Sequence, residues 1–263
     1  MRTIIIGDIH GCYREFISLL KKVEYRKKKD RLILLGDLMD RGPLSYEMLQ
    51  WAIRWKEENP DTFFLIRGNH ELMLVKQRRE IDQRLIWRLV GKGASIRSFS
   101  RHKDRMKRYI PWIVENMPIY HEEDDYRCVH ASVEYENLED NDEERLVEDH
   151  NYAKRNEYAG KITIIGHTPL PDPTHYDGSG GEGIPLPYHE WHPLPEHGTI
   201  CIDTGCVFGH RLTAMIIEDG QYYLDYVESG VCIENKVPKY IKYIWRLRSI
   251  PIIRRFCSMP KVI

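Results

Sequence analysis

Apolar runs that each end in glycine and a polar side chain alternate with stretches of helical spacing from the N-terminus to Gly68. Residues 2–6 form one such run closing at Gly7, residues 32–35 a second closing at Gly36, and Phe63–Ile66 a third closing at Arg67-Gly68. Short unbroken apolar runs predict strands buried on both faces. Between them, Phe16, Ile17, Leu19, Leu20 and Val23 recur at helical spacing. After Pro43, which suits a helix's first turn, Leu44, Met48, Leu49, Ala52 and Ile53 do the same. Strand, helix, strand, helix, strand predicts a βαβαβ unit and therefore a parallel sheet. Such sheets take ligands at the carboxyl ends of their strands, where the glycine–polar pairs fall.

Beyond Gly68 the pattern loosens. Residues 71–109 read as helical and basic, with a break at Gly91-Lys92-Gly93. Cys128-Val129 before His130, and Ile162–Ile165 before Gly166-His167, repeat the strand-then-polar pattern. Residues 134–149 are acidic and predict a solvated face or loop. Residues 171–198 carry six prolines and the run Gly178-Ser-Gly-Gly-Glu-Gly183, predicting a long irregular loop. Thr199–Asp203, Thr213–Glu218 and Tyr222–Val227 predict strands of an antiparallel closing sheet. The expected organisation is one catalytic domain over residues 1–235 and a basic amphipathic tail over 236–263.

Composition narrows the class. The 263 residues are 42% hydrophobic, enough for a core, and 39 Lys+Arg against 40 Asp+Glu leave a formal charge of -1. That balance argues against a general nucleic-acid coat, and no nucleic-acid partner is expected. No apolar run approaches the roughly 18 residues that a membrane span requires. The N-terminal run meets Gly7-Asp8 too early for a secretory signal, so a cytoplasmic location is expected. The six cysteines form no CxxC pair and read as reduced thiols.

Hard-ligand residues concentrate at the strand ends: Asp8 and His10, Asp37 and Asp40, Asn69 and His70, His130, and His167. Carboxylates, an amide oxygen and several imidazoles are what a pair of divalent transition metals needs, and one shared carboxylate holds such ions about 3.5–4 Å apart. Each element alone is more often a structural turn. It is their order after successive predicted strands that argues for a site.

The segments Gly7-Asp-Ile-His-Gly11, Gly36-Asp-Leu-Met-Asp-Arg-Gly42 and Gly68-Asn-His-Glu71 resemble the signatures of the calcineurin-like metallophosphoesterases, more narrowly the phosphoprotein phosphatase family. Gly166-His-Thr-Pro169 with Asp203-Thr-Gly-Cys-Val207 is similar to its small bacterial and phage members and to the symmetrical diadenosine tetraphosphatases. The resemblance implies an α/β fold, a central β-sandwich flanked by helices, with a dinuclear site on strand-end loops. It implies that Asp8, His10 and Asp37 hold one metal and Asp37, Asn69, His130 and His167 the other. A metal-bridging hydroxide would be the nucleophile, His70 the general acid, Asp40 its orienter, and Arg41, Arg67 and Asn69 substrate ligands. The cofactors implied are two divalent ions, manganese first, with iron, zinc, nickel or cobalt as alternatives. The expected activity is phosphomonoester hydrolysis on phosphoproteins or small phosphorylated substrates, serine/threonine protein phosphatase leading. A symmetrical bis(5'-nucleosyl)-tetraphosphatase is the first alternative, and a non-catalytic phosphate-binding scaffold the second.

The chain departs from the family at Ala131-Ser132, and it has Thr204-Gly205-Cys206 where the eukaryotic branch carries a tyrosine. A further phosphate-binding arginine has only Arg97, Arg101 and Arg211 as candidates by charge. His175, His189, His192 and His197 read most simply as parts of a solvated loop, with a lid or added metal site as the alternative. His210-Arg211 follows a strand end near the expected site and is read as an ordinary surface pair, with substrate contact as the alternative. The tail packs its apolar side on the domain or, alternatively, makes a weak membrane or protein contact.

Overall fold

The computed structural model describes residues 1–76, 87–149 and 152–231. The first three apolar runs are β1 (Thr3–Ile6), β2 (Arg31–Leu34) and β3 (Phe63–Leu65), paired in parallel and joined by α1 (Tyr13–Lys22) and α2 (Ser45–Glu58). α3 (Asn69–Lys76) leaves directly from the end of β3. α4 (Lys92–Arg101) starts after Gly91, whose φ of 128° ends the preceding turn at the break expected there. α5 (Ile110–Asn116) leads to the antiparallel pair β4 (Tyr120–Glu122) and β5 (Arg127–Val129). The acidic stretch is not all loop: it folds into α6 (Glu143–Glu148), which buries Leu146 and Val147. Then follow α7 (Tyr152–Arg155), β6 (Thr163–Ile165), β7 (Thr174–Tyr176), β8 (Ile184–Pro185), β9 (Trp191–Pro193), β10 (Thr199–Cys201), β11 (Arg211–Glu218) and β12 (Gln221–Glu228).

Two six-stranded mixed sheets result, ordered β3-β2-β1-β11-β12-β9 and β4-β5-β6-β10-β7-β8. Side-chain alternation explains why the apolar runs are unbroken. Ile4, Ile6, Leu32 and Leu34 face a core shared with Phe16, Leu19, Leu49 and Ala52 of α1 and α2. Ile5, Ile33 and Leu35 point the other way, into a core between the sheets with Ile164, Ile200, Met215 and Leu224. A third cluster packs Val129, Ile165 and Cys201 of the second sheet on Leu146, Val147 and Tyr158.

Two expectations change. Thr199–Asp203 does not join the closing hairpin: β10 lies in the second sheet, parallel to β6, while β11 and β12 pair antiparallel in the first. The 171–198 segment is not featureless, because β7 and β8 extend one sheet and β9 the other. Its prolines and glycines punctuate short edge strands rather than a free loop. The tail, the 235/236 boundary and residues 77–86 lie outside the described residues. No helix among the described residues is long and apolar enough to cross a membrane.

Ile5 is fully buried between the two sheets, so Ile5→Ala leaves a cavity that neither sheet can close. The expected cost is about 3 kcal/mol, a fall in Tm of about 6–12 °C by calorimetry. A shift of under about 2 °C would contradict this packing.

Candidate active site

The carboxyl ends of β1, β2, β3, β5, β6 and β10 deliver Asp8 and His10, Asp37 and Asp40, Asn69 and His70, His130, His167, and Asp203 to one region. The turns that do so are unusual. His10, Asp37, Asp40, Arg41 and His167 have φ between 47° and 69°, a left-handed conformation costly for non-glycine residues and commonest at functional sites. Gly11 and Gly36 take positive φ in the same turns, but the ligand candidates themselves carry much of the strain. Gly68 and Gly166 provide close approach. A Cβ on Gly68 would lie 2.2 Å from Asp37 Oδ1, and one on Gly166 2.3 Å from Asp8 Oδ1. Backbone bonds tie the loops together: His10 N–H donates to the Asp37 carbonyl (2.7 Å) and Gly42 N–H to that of His10 (2.9 Å).

Asp37 is the centre of the cluster. Its Oδ2 lies 3.3 Å from His10 Nε2 and 3.9 Å from His70 Nε2, and its Oδ1 3.5 Å from His130 Nε2. His10 with Asp37 and His70 forms one set of converging ligand atoms, and Asp37 with His130 and His167 the other. Asp8 adjoins both, with Oδ2 3.9 Å from His10 Nε2 and Oδ1 4.0 Å from His130 Nδ1.

Hydrogen bonds outside the cluster leave the donor set turned inward, as metal ligation requires. His10 Nδ1 bonds the Met39 carbonyl (2.8 Å) and His130 Nδ1 that of Leu35 (2.6 Å), which puts both ring protons away from the cluster. Their Nε2 lone pairs therefore face Asp37, and His130 Nε2 also faces Asn69 Oδ1 at 3.3 Å. Turning the Asn69 amide satisfies that contact with an N–H; as oriented, acceptor faces acceptor, an arrangement that a cation between them resolves. Asp8 Oδ2 and His70 Nε2 are buried without a hydrogen-bond partner. Burial, followed by the charge of Arg41, holds the His10 pKa well below its ordinary value, and burial lowers that of His130, so both stay neutral and able to ligate. Burial works against ionised Asp37, yet its neighbours, the positively charged Arg41 among them, hold its pKa below the usual range. The residues present fit two divalent cations sharing Asp37.

His70 Nδ1 lies 2.7 Å from Asp40 Oδ2, and both side chains are fully buried. Asp40 is in turn fixed by Trp87 Nε1, by Ser95 Oγ (2.6 Å to Oδ1) and, at its N–H, by Ser95 and Ser45. Arg41 reaches His10 Nε2 with Nη1, donates from Nε to the Val90 carbonyl (3.3 Å), and lies over the ring of Phe208. Arg67 is not brought into the cluster: its guanidinium donates to the Val114 carbonyl of α5 at 3.1 Å. Of the other arginine candidates, Arg101 donates to the Pro43 carbonyl and Arg211 pairs with Asp172 at 3.0 Å. His175 bonds the His197 carbonyl, His189 pairs with Asp225, and His192 lies beside Glu190; these are contacts within the surface segments, away from Asp37.

Four residues had no role assigned from sequence. Glu71 accepts from the backbone N–H groups of Asp37 (2.8 Å), Leu38 (3.0 Å) and Gly68 (3.1 Å), so one buried carboxylate shapes the Asp37 loop. Its place in the Gly68–Glu71 motif was the available signal. Asp203 is buried beside Asp8, and burial pushes its pKa up to about 6. Trp87 and Ser95 hold Asp40 from a region whose basic, helical pattern gave no hint of them.

Fold and site together define a metal-dependent phosphoesterase. The chain belongs to the calcineurin-like phosphoesterase family, whose pattern matches residues 1–214. Over 239 residues it is 29% identical to the asymmetrical bis(5'-nucleosyl)-tetraphosphatase PrpE of Anoxybacillus flavithermus, covering 80% of this chain and 88% of that protein. A stretch of 75 residues is 48% identical to the symmetrical bis(5'-nucleosyl)-tetraphosphatase of Escherichia coli, covering 28% of this chain and only 25% of that enzyme. A metallophosphoesterase structure from Sphaerobacter thermophilus superposes with a TM-score of 0.61 at 16% identity, over 99% of this chain and 96% of that one.

Glu71→Gln replaces an acceptor with an amide N–H₂ aimed at backbone donors, and the Asp37 loop must move. Manganese affinity is expected to fall about 10–100-fold by titration calorimetry. An affinity within about twofold of the parent's would show that Glu71 does not organise the site.

Proposed function

We propose that this chain hydrolyses bis(5'-nucleosyl) tetraphosphates at a dinuclear centre in which Asp37 is shared. One observation carries the chemistry: the Asp37 carboxylate stands between two imidazole sets, with the His70–Asp40 pair at its edge. Asp8, His10 and Asp37 would hold one cation, and Asp37, Asn69, His130 and His167 the other. Manganese suits this mixed imidazole and carboxylate set. When bound, such a pair supplies Lewis acidity to the phosphate and a water nucleophile active at neutral pH.

The chain's own residues then have distinct tasks. Asn69 and Arg41 orient the phosphate oxygens, the guanidinium through paired N–H donors. Asp40 accepts a hydrogen bond from His70 Nδ1–H, which turns the Nε2–H of the imidazolium toward the reacting group. Protonated His70 donates its Nε2 proton to the departing oxygen as the P–O bond breaks, leaving the neutral Nδ1–H imidazole on Asp40. Arg67, directed to Val114, has no part in this scheme.

The substrate class rests on the relatives. The phosphoprotein reading of the sequence yields to its alternative, because the protein similar along most of this chain is named for a dinucleoside tetraphosphate. The segment similar to the symmetrical enzyme is short, whereas the similarity to the asymmetrical enzyme extends over most of the chain. The proposed cut is therefore asymmetrical: water adds at one terminal phosphorus, and a nucleoside triphosphate and a nucleoside monophosphate leave.

Manganese-loaded enzyme is expected to show a higher kcat/KM on diadenosine tetraphosphate than on phosphopeptides, releasing ATP and AMP by chromatography, with EDTA abolishing turnover. ADP as the product would assign the symmetrical cut, and a preference for phosphopeptides would overturn the substrate class. His70→Ala is expected to lower kcat on glycerol 2-phosphate by about 10²–10⁴, and by less on the tetraphosphate, whose leaving group needs a proton less. Equal losses on both would remove His70 as the acid.

A further inference from the structure

The cluster is buried, and Arg41, Asn69, Thr168, Pro169 and Phe208 are among the partly exposed residues beside it. They mark where the site opens, and two of them belong to one feature. The Arg41 guanidinium has its carbon 5.4 Å from the centroid of the Phe208 ring, while its Nη1 reaches His10. One guanidinium therefore separates an aromatic ring from a metal-ligand candidate. Phe208 is next to the exposed His210, and both rings converge with Pro169 on Gly205. A Cβ built there would lie 3.2 Å from His210 Cδ2, 3.4 Å from Pro169 Cβ and 3.6 Å from Phe208 Cδ2.

This wall is held before any ligand arrives. Phe208 N–H donates to the Gly205 carbonyl (2.9 Å), and Gly209 N–H to that of Cys206 (3.1 Å). Thr204 Oγ1 donates to the Arg211 carbonyl (2.8 Å), which closes the loop. Asp203 Oδ1 accepts from Gly205 N–H at 2.9 Å, so the loop is keyed to a carboxylate of the buried cluster. A preorganised platform of this kind loses little freedom on binding.

We infer that Phe208, with His210 beside it, is the platform on which the nucleobase nearest the scissile phosphate stacks. The inference rests on the dinucleoside tetraphosphate reading and deepens it. Among the described residues, the wall next to the phosphate-seeking Arg41 includes the side chains of Phe208, His210 and Pro169. It suits a planar, weakly polar group one sugar away from a phosphate. Stacking needs no base-specific hydrogen bond, so the site accepts adenine and guanine alike.

The test compares diadenosine tetraphosphate with glycerol 2-phosphate, which has no ring, in the manganese enzyme. Phe208→Leu keeps an apolar side chain against the core and removes the π face; Phe208→Trp restores it. The ratio of kcat/KM for the tetraphosphate to that for glycerol 2-phosphate is expected to fall roughly tenfold in Phe208→Leu, through KM, and to recover in Phe208→Trp. An unchanged ratio, including equal losses on both substrates through a displaced Arg41, would overturn the stacking role while leaving the substrate reading intact. No hydrolysis of the tetraphosphate by the unaltered enzyme would overturn that reading, and this inference with it.

Discussion

Five carboxylates, Asp8, Asp37, Asp40, Glu71 and Asp203, are each 5% exposed or less within one set of loops. Charges of one sign taken out of water repel strongly, and the strain shows in their protonation. Burial and then the charges of Asp203 and Asp37 raise the pKa of Asp8, and burial and Asp37 push that of Glu71 up to about 8. Each carboxylate finds a different compensation. Glu71 takes three backbone N–H groups, Asp40 takes Trp87, Ser95 and His70, and Asp203 takes a loop N–H. Asp8 and Asp37 each take a single backbone N–H at Oδ1, from His167 (2.9 Å) and His70 (3.0 Å), while their Oδ2 atoms face His10 Nε2, where a divalent cation would complete the compensation.

Holding such a cluster requires a frame that does not yield. The two sheets supply it by burying β1 and β2 on both faces, so the strand ends are fixed in position. The strained φ values at His10, Asp37, Asp40, Arg41 and His167 are sustained because neighbouring loops bond to one another across the site. Gly68 and Gly166 let that crossing happen at contact distance. The same rigidity extends to the Cys206–Gly209 turn, which sets an aromatic ring beside Arg41.

Much of this was legible in the sequence, and for a physical reason. Strands buried on both faces write themselves as unbroken apolar runs, and polar residues at their carboxyl ends follow immediately, so Asp8, His10, Asp37, His130 and His167 could be read from spacing as neighbours in one buried cluster. The final strands misled because β10 and β11 are adjacent in sequence but belong to different sheets, a choice made by packing rather than by local pattern. Arg67 shows that a motif position does not fix where a long side chain points: here it donates to the Val114 carbonyl. Trp87 and Ser95 were invisible because their partner, Asp40, is some fifty residues away.

The account stands on Asp37 as a carboxylate shared by two cations. Anomalous diffraction at the manganese edge from crystals of manganese-loaded protein tests it most directly. Two peaks flanking the Asp37 carboxylate are predicted, one beside His10 and Asp8, the other beside Asn69, His130 and His167. A single peak, or a pair that leaves Asp37 unligated, would contradict it.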